Sequence, residues 1–130
     1  MRLVKGAKET FGWVIVGENN DIIIPKSAWE RYGFQVGEEV IITPGSKKSG
    51  GFGVTNKNLF SYISIPGFEE KIFTRSLFTQ NRGIQLPDNI LIKQDDRLLT
   101  VYGSGFILGF ISKGPIYNFA NQHTKFDEVE

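Results

Sequence analysis

The feature that most constrains this chain is a pattern written twice. Asp21-Ile22-Ile23-Ile24-Pro25-Lys26-Ser27-Ala28-Trp29 is answered by Val36-Gly37-Glu38-Glu39-Val40-Ile41-Ile42-Thr43. Gly83-Ile84-Gln85-Leu86-Pro87-Asp88-Asn89-Ile90-Leu91 is answered by Gln94-Asp95-Asp96-Arg97-Leu98-Leu99-Thr100-Val101. An offset of 62 residues relates Phe11 to Phe73, Asn19 to Asn81, Ile22 to Ile84 and Pro25 to Pro87 without a gap. Beyond an insert of unequal length, an offset of 58 relates Gly37 to Asp95, Val40 to Leu98, Gly45 to Gly103 and Ser46 to Ser104.

Each copy opens on a β-branched and aromatic run, 11–16 or 73–78, that predicts a strand ending in turn formers. A second strand follows and is closed by proline. The insert predicts a short helix over 26–34, stopped at Gly33, and a shorter one over 88–92. A third strand, a glycine-rich turn and a last strand (52–55 or 106–111) come next. Leu59, Phe60, Tyr62 and Ile63 have the spacing of one buried helix face. Ile116, Tyr117, Phe119 and Ala120 repeat it, with Pro115 suited to a first helical turn.

The expectation is a mainly β fold of about eight short strands, since each half alone is too small to bury both faces of its sheet. Two halves locked together close a pseudo-symmetric β-barrel from an internal duplication and remove most exposed edges. Residues 1–130 then form a single intertwined domain, with copies at 10–63 and 72–122 and a linker at 64–71.

The 40% hydrophobic and 22% charged content is that of an ordinary globular chain. Cysteine is absent, which excludes disulfides, thiolate metal sites and a thiol nucleophile. His123 is the only histidine. The adjacent acids Glu38-Glu39 and Glu69-Glu70 diverge on a strand, and no serine stands in a nucleophile elbow, so an enzyme is not expected. No cofactor or metal is expected. Neither a signal peptide nor a membrane span is legible, and the expected location is cytoplasmic.

The string Asn20-Asp21-Ile22-Ile23-Ile24-Pro25-Lys26, with Gly33-Phe34-Gln35-Val36-Gly37-Glu38-Glu39-Val40, resembles the AbrB/MazE/SpoVT DNA-binding family. Its motif runs roughly G-R-I-x-I-P-K, a short helix, then L-G-[IL]-x-x-G-D-x-[VL]. Arg82-Gly83-Ile84-Gln85-Leu86-Pro87 followed by Asp95-Asp96-Arg97-Leu98 is similar. The resemblance covers most of the chain. It implies a swapped-hairpin barrel, here a fused dimer with short helices after the second strand and at the end of each copy. It also implies a DNA-binding transcriptional regulator that grips double-stranded DNA with a basic face. The departures are specific: Val14, Ile15 and Asp21 stand where the first copy would carry positive charge, and Arg82-Gly83 reverses the usual Gly-Arg.

The candidate nucleic-acid contacts are Arg2, Lys5 and Lys8 as a basic arm, Lys47 and Lys48 in a Gly/Ser loop, and Arg75 and Arg82 on the strand and loop that the family turns to DNA. The alternative is an antitoxin-like or adaptor barrel that has lost DNA binding and contacts a protein partner through Trp29. A further homodimer is compatible with both readings. Phe11, Trp13, Phe34, Phe52, Phe73, Phe78, Phe106 and Phe110 read as core, because small barrels fill their interior with such side chains.

Overall fold

The computed structural model describes residues 9–44, 50–63, 74–88, 90 and 92–122. Eight strands and three short helices follow one another as β1 (Thr10–Ile15), β2 (Asp21–Ile23), α1 (Lys26–Tyr32), β3 (Glu39–Pro44), β4 (Phe52–Asn56), α2 (Lys57–Phe60), β5 (Thr74–Leu77), β6 (Gly83–Gln85), β7 (Arg97–Tyr102), β8 (Leu108–Ile111) and α3 (Pro115–Gln122). All pairings are antiparallel. One sheet has the order β1-β7-β8-β4-β3-β5, and β2 pairs with β6 in a separate ribbon. The six-stranded sheet is open, with β1 and β5 as its outer strands.

The registers follow the two offsets of the sequence. Val14 lies opposite Leu98, and Ser76 lies opposite Val40. Ile22 faces Ile84, 62 residues on, at the centre of the ribbon. The loop hydrogen bonds recur likewise. The amide of Val16 donates to the carbonyl of Asp96 at 2.9 Å, and that of Phe78 to Glu38 at 3.1 Å. The amide of Gly17 donates to Asp21 at 2.8 Å, and that of Thr79 to Gly83 at 2.9 Å.

Alternation along the strands sends Val14, Val16, Ile22, Ile24, Val40, Ile42, Ile84, Leu86 and Leu98 into one buried cluster, closed by the stacked rings of Phe52 and Phe110, 5.0 Å apart. A second layer lies on the opposite side of β1, β7 and β8. There α3 lays Ala120, Ile116 and Tyr117 over Trp13, Leu99, Val101 and Ile111. Trp13 is therefore buried, as expected, but under α3 and outside the main cluster.

Several expectations need correction. Residues 88–92 do not form a helix among the described positions. Between Pro87 and Lys93 there is room for one turn, made by the Ile90 amide on the Pro87 carbonyl at 3.3 Å. Tyr62 lies beyond the end of α2 and is 63% exposed, so it does not extend a buried helix face. Phe106 is 41% exposed and stacks on Tyr62 with ring centroids 5.9 Å apart. It bends away before β8 begins, so the last strand starts at Leu108. Phe73 and the 64–71 linker lie outside the described residues.

Helix α1 is stopped as its sequence predicts, by Gly33 in the left-handed region (φ 69°), whose amide returns to the helix carbonyls. Its inner face carries Tyr32, whose hydroxyl proton is shared between the carbonyls of Ser104 at 2.7 Å and Ile107 at 3.0 Å. Burial, and then the neighbouring Tyr102, raise the Tyr32 pKa above its ordinary value of 10.0. The folded state therefore holds this proton more tightly than the unfolded chain. Its contribution is complete below about pH 10 and is lost as pH rises through that value toward the folded pKa. At neutral pH, Tyr32→Phe should lower stability by about 1–2 kcal/mol, because two part-buried carbonyls lose their donor. Urea unfolding at increasing pH should show the wild type and Tyr32→Phe converging above about pH 10. Parallel curves would contradict this account of Tyr32.

Candidate interaction face

Two tight turns build the outer side of the ribbon. Gly17 pairs with Asp21 across the first, and Thr79 pairs with Gly83 across the second. Strand alternation then puts Ile15, Asp21 and Ile23 on one side of the backbone, with Leu77, Thr79 and Gln85 on the corresponding side of the other turn. The β2–β6 register joins the two sets, with Asp21 opposite Gln85 and Ile23 opposite Gly83. Ile15 (47% exposed), Ile23 (40%) and Leu77 (59%) are among the most exposed large apolar residues described.

The turns are held by their own side chains. Asn20 (φ 53°) and Arg82 (φ 62°) occupy the same left-handed position in the two copies. Arg82 thus stands where the backbone curls, and its Nε donates to the carbonyl of Ile24 at 3.1 Å. Gly17 accommodates Asp21, since a Cβ there would stand 2.3 Å from the carboxylate oxygen. In the second copy the roles reverse. The Thr79 hydroxyl accepts from the Gly83 amide at 3.1 Å, and a Cβ on Gly83 would stand 2.6 Å from it. The positions Asp21 and Gly83, 62 residues apart, therefore carry a carboxylate and no side chain at all.

The acids of the second motif act within the fold. Glu38 accepts from the Gln35 amide at 2.8 Å and from Asn56 Nδ2 at 3.2 Å, while Asn56 also caps α2. Asp96 accepts from the Lys93 amide at 3.0 Å. They close equivalent turns, and the described residues contain no group of three or more His, Cys, Asp or Glu placed to hold a metal.

The proposed contacts divide clearly. Arg2, Lys5, Lys8, Lys47 and Lys48 lie outside the described residues. Arg75 is on β5 opposite Ile41, at the register that Trp13 holds on β1 opposite Leu99, and its side chain also lies outside them. Arg82 is on the ribbon but is bonded to Ile24. Trp29 is half-buried, with its ring edge-on to Phe34 at 5.8 Å and to Phe78 at 5.0 Å. Arg31, exposed on α1, pairs with Glu9 at 2.8 Å and lies 4.8 Å from the centre of the Tyr102 ring. The sequence marks Ile15 only as an apolar residue where positive charge is expected, and it does not single out Ile23 or Leu77. A further signal is that Ile15 and Leu77 are both large and apolar at the 62-residue offset.

Among the described residues no helix is long and apolar enough to cross a membrane. No protein-family model matches the chain, and no match is found among curated proteins or solved structures.

Proposed function

We propose that the chain is a protein-contact module, a swapped-hairpin barrel of the AbrB/MazE/SpoVT type formed within one polypeptide by internal duplication. The loop and strand registers that repeat at the sequence offsets support the architecture. The observation that carries the function is the outer face of the β2–β6 ribbon. Ile15, Ile23 and Leu77 are exposed there, and Asp21 and Gly83 hold the positions at which the family resemblance calls for arginine. A phosphate-contacting surface gains affinity by releasing a counterion for each phosphate it neutralises. A carboxylate and an apolar rim oppose that gain, whereas apolar side chains with few charges suit a protein partner.

The second reading is a DNA-binding regulator. It is favoured by Arg75 on β5 and by the basic residues of the terminal arm and of the 45–49 loop. Anisotropy of labelled double-stranded DNA across a salt series separates the two readings. The protein-contact reading expects weak binding with a shallow salt slope. Tight binding whose logarithm falls by several units per decade of salt would replace it with the DNA regulator.

A further inference from the structure

Most of the strand pairing runs between the two sequence copies. The β1–β7, β2–β6, β3–β5 and β4–β8 pairs each join a strand of the first copy to one of the second. Among the described residues only the β3–β4 and β7–β8 hairpins pair within a copy. An isolated two-stranded hairpin is marginally stable at best, so each copy depends on the other for its sheet. Two registers also locate a local two-fold axis. Ile22 faces Ile84 and Phe52 faces Phe110, and in each case a residue meets its own counterpart at the sequence offset. That is the isologous contact of a two-chain dimer, with both partners on one chain.

The side chains make this contact unlike at its two ends. Val16 and Phe78 are counterparts, and each exchanges the same loop hydrogen bonds with the other copy. Phe78 alone meets two rings there, Phe34 at 4.8 Å and Trp29 at 5.0 Å. It does so because α1 belongs to the first copy, while the second has a single turn in its place. A pair of first copies would set Val16 where Phe78 fills that space and leave a gap at each end. A pair of second copies would leave both Phe78 rings without a helix to pack on. Tyr32 adds to the preference, since its hydroxyl reaches the second copy at Ser104 and Ile107. We infer that residues 10–63 and 74–122 are two mutually specific binding partners, each taking the other in preference to itself, whose covalent connection supplies proximity and not recognition. Linking two partners raises their effective concentration without any new contact. Their specificity comes from the gaps and lost contacts of the wrong pairs as much as from the contacts of the right one.

The full chain with a protease site inserted between Gly67 and Phe68, cut after folding, tests this. The cut protein should run at the size of the intact chain on gel filtration at micromolar concentration. Unfolded in urea and refolded by dilution, it should return to the same species. Native mass spectrometry should then find one first segment bound to one second segment. Its thermal midpoint should rise with protein concentration, as a two-chain complex requires, while that of the intact chain stays fixed. In the cut protein, Phe78→Val should weaken association at least about tenfold. The same substitution in the uncut chain, where proximity is kept, should leave it folded, which separates lost recognition from a lost fold. Segments that come apart at micromolar concentration, like pairs recovered on refolding, or an unlike pair indifferent to Phe78→Val overturns the inference. What the ribbon face meets is decided separately, by the DNA titration.

Discussion

Replacing Gly51 with alanine should destabilise the protein by about 3 kcal/mol, one of the two largest effects expected of a single substitution in this fold. Gly51 sits at φ 68° immediately before β4, and a Cβ there would stand 1.9 Å from the carbonyl oxygen of Phe110. The strain of a left-handed alanine contributes about 1 kcal/mol, and forcing backbone against backbone contributes about 2 kcal/mol or more. Relief requires β4 and β8 to separate, and these strands carry the stacked Phe52–Phe110 pair. A midpoint shift on the order of 10 °C follows for a domain of this size. Gly33→Ala is the control. Gly33 has a similar φ of 69° but nothing within 4 Å of the added carbon, so it should lose only about 1 kcal/mol. Equal losses at the two glycines, measured by denaturant unfolding, would show that the close approach to Phe110 is not what matters.

Phe78→Ala should cost about 3–5 kcal/mol, the range for deleting a buried aromatic ring. Phe78 is 2% exposed and lies 4.8 Å from Phe34 and 5.0 Å from Trp29, so it is the wedge between β5 and α1. Its backbone bonds to Gly37 and Glu38 would survive truncation, and the loss falls on packing. The substitution also has a local readout. Trp13 is 1% exposed under α3, whereas Trp29 rests directly on Phe78, so a red shift of folded-state fluorescence should come from Trp29 alone. Phe106→Ala, at an exposed ring, should lie within about 1 kcal/mol of wild type. A folded Phe78→Ala protein with unchanged emission would contradict the packing described for Trp29.

The sequence made the strands and their register legible because repetition supplies its own check. Ile22 and Ile84, found at a fixed offset, are the residues that face one another in the ribbon. Stops were legible where one residue type does one job, as Gly33 does at the end of α1. The missing second helix was not, because the pattern over residues 88–92 fits a helix and a single turn equally well, and only the closing bonds separate them. Surface aromatics were misjudged for a related reason. Tyr62 and Phe106 cover one another rather than entering the core, and composition cannot register a pair made outside it. On the ribbon face, Ile15, Ile23 and Leu77 resemble core residues in a sequence, since periodicity shows which residues share a side and not which side is covered. The position of Arg82 was more readable than its role. Asn20 at the equivalent place marks a left-handed turn, but nothing in the sequence shows that the guanidinium turns back to a carbonyl.

The claim that the ribbon face meets protein is tested most directly by following backbone amide signals of the isotope-labelled chain while short duplex DNA is added at low salt. The amides of Ile15, Asp21, Ile23, Leu77 and Gln85 should remain in place, with any weak displacement confined to the basic segments. Displacements concentrated on those five residues, and removed by salt, would show that the face meets DNA and would contradict the account.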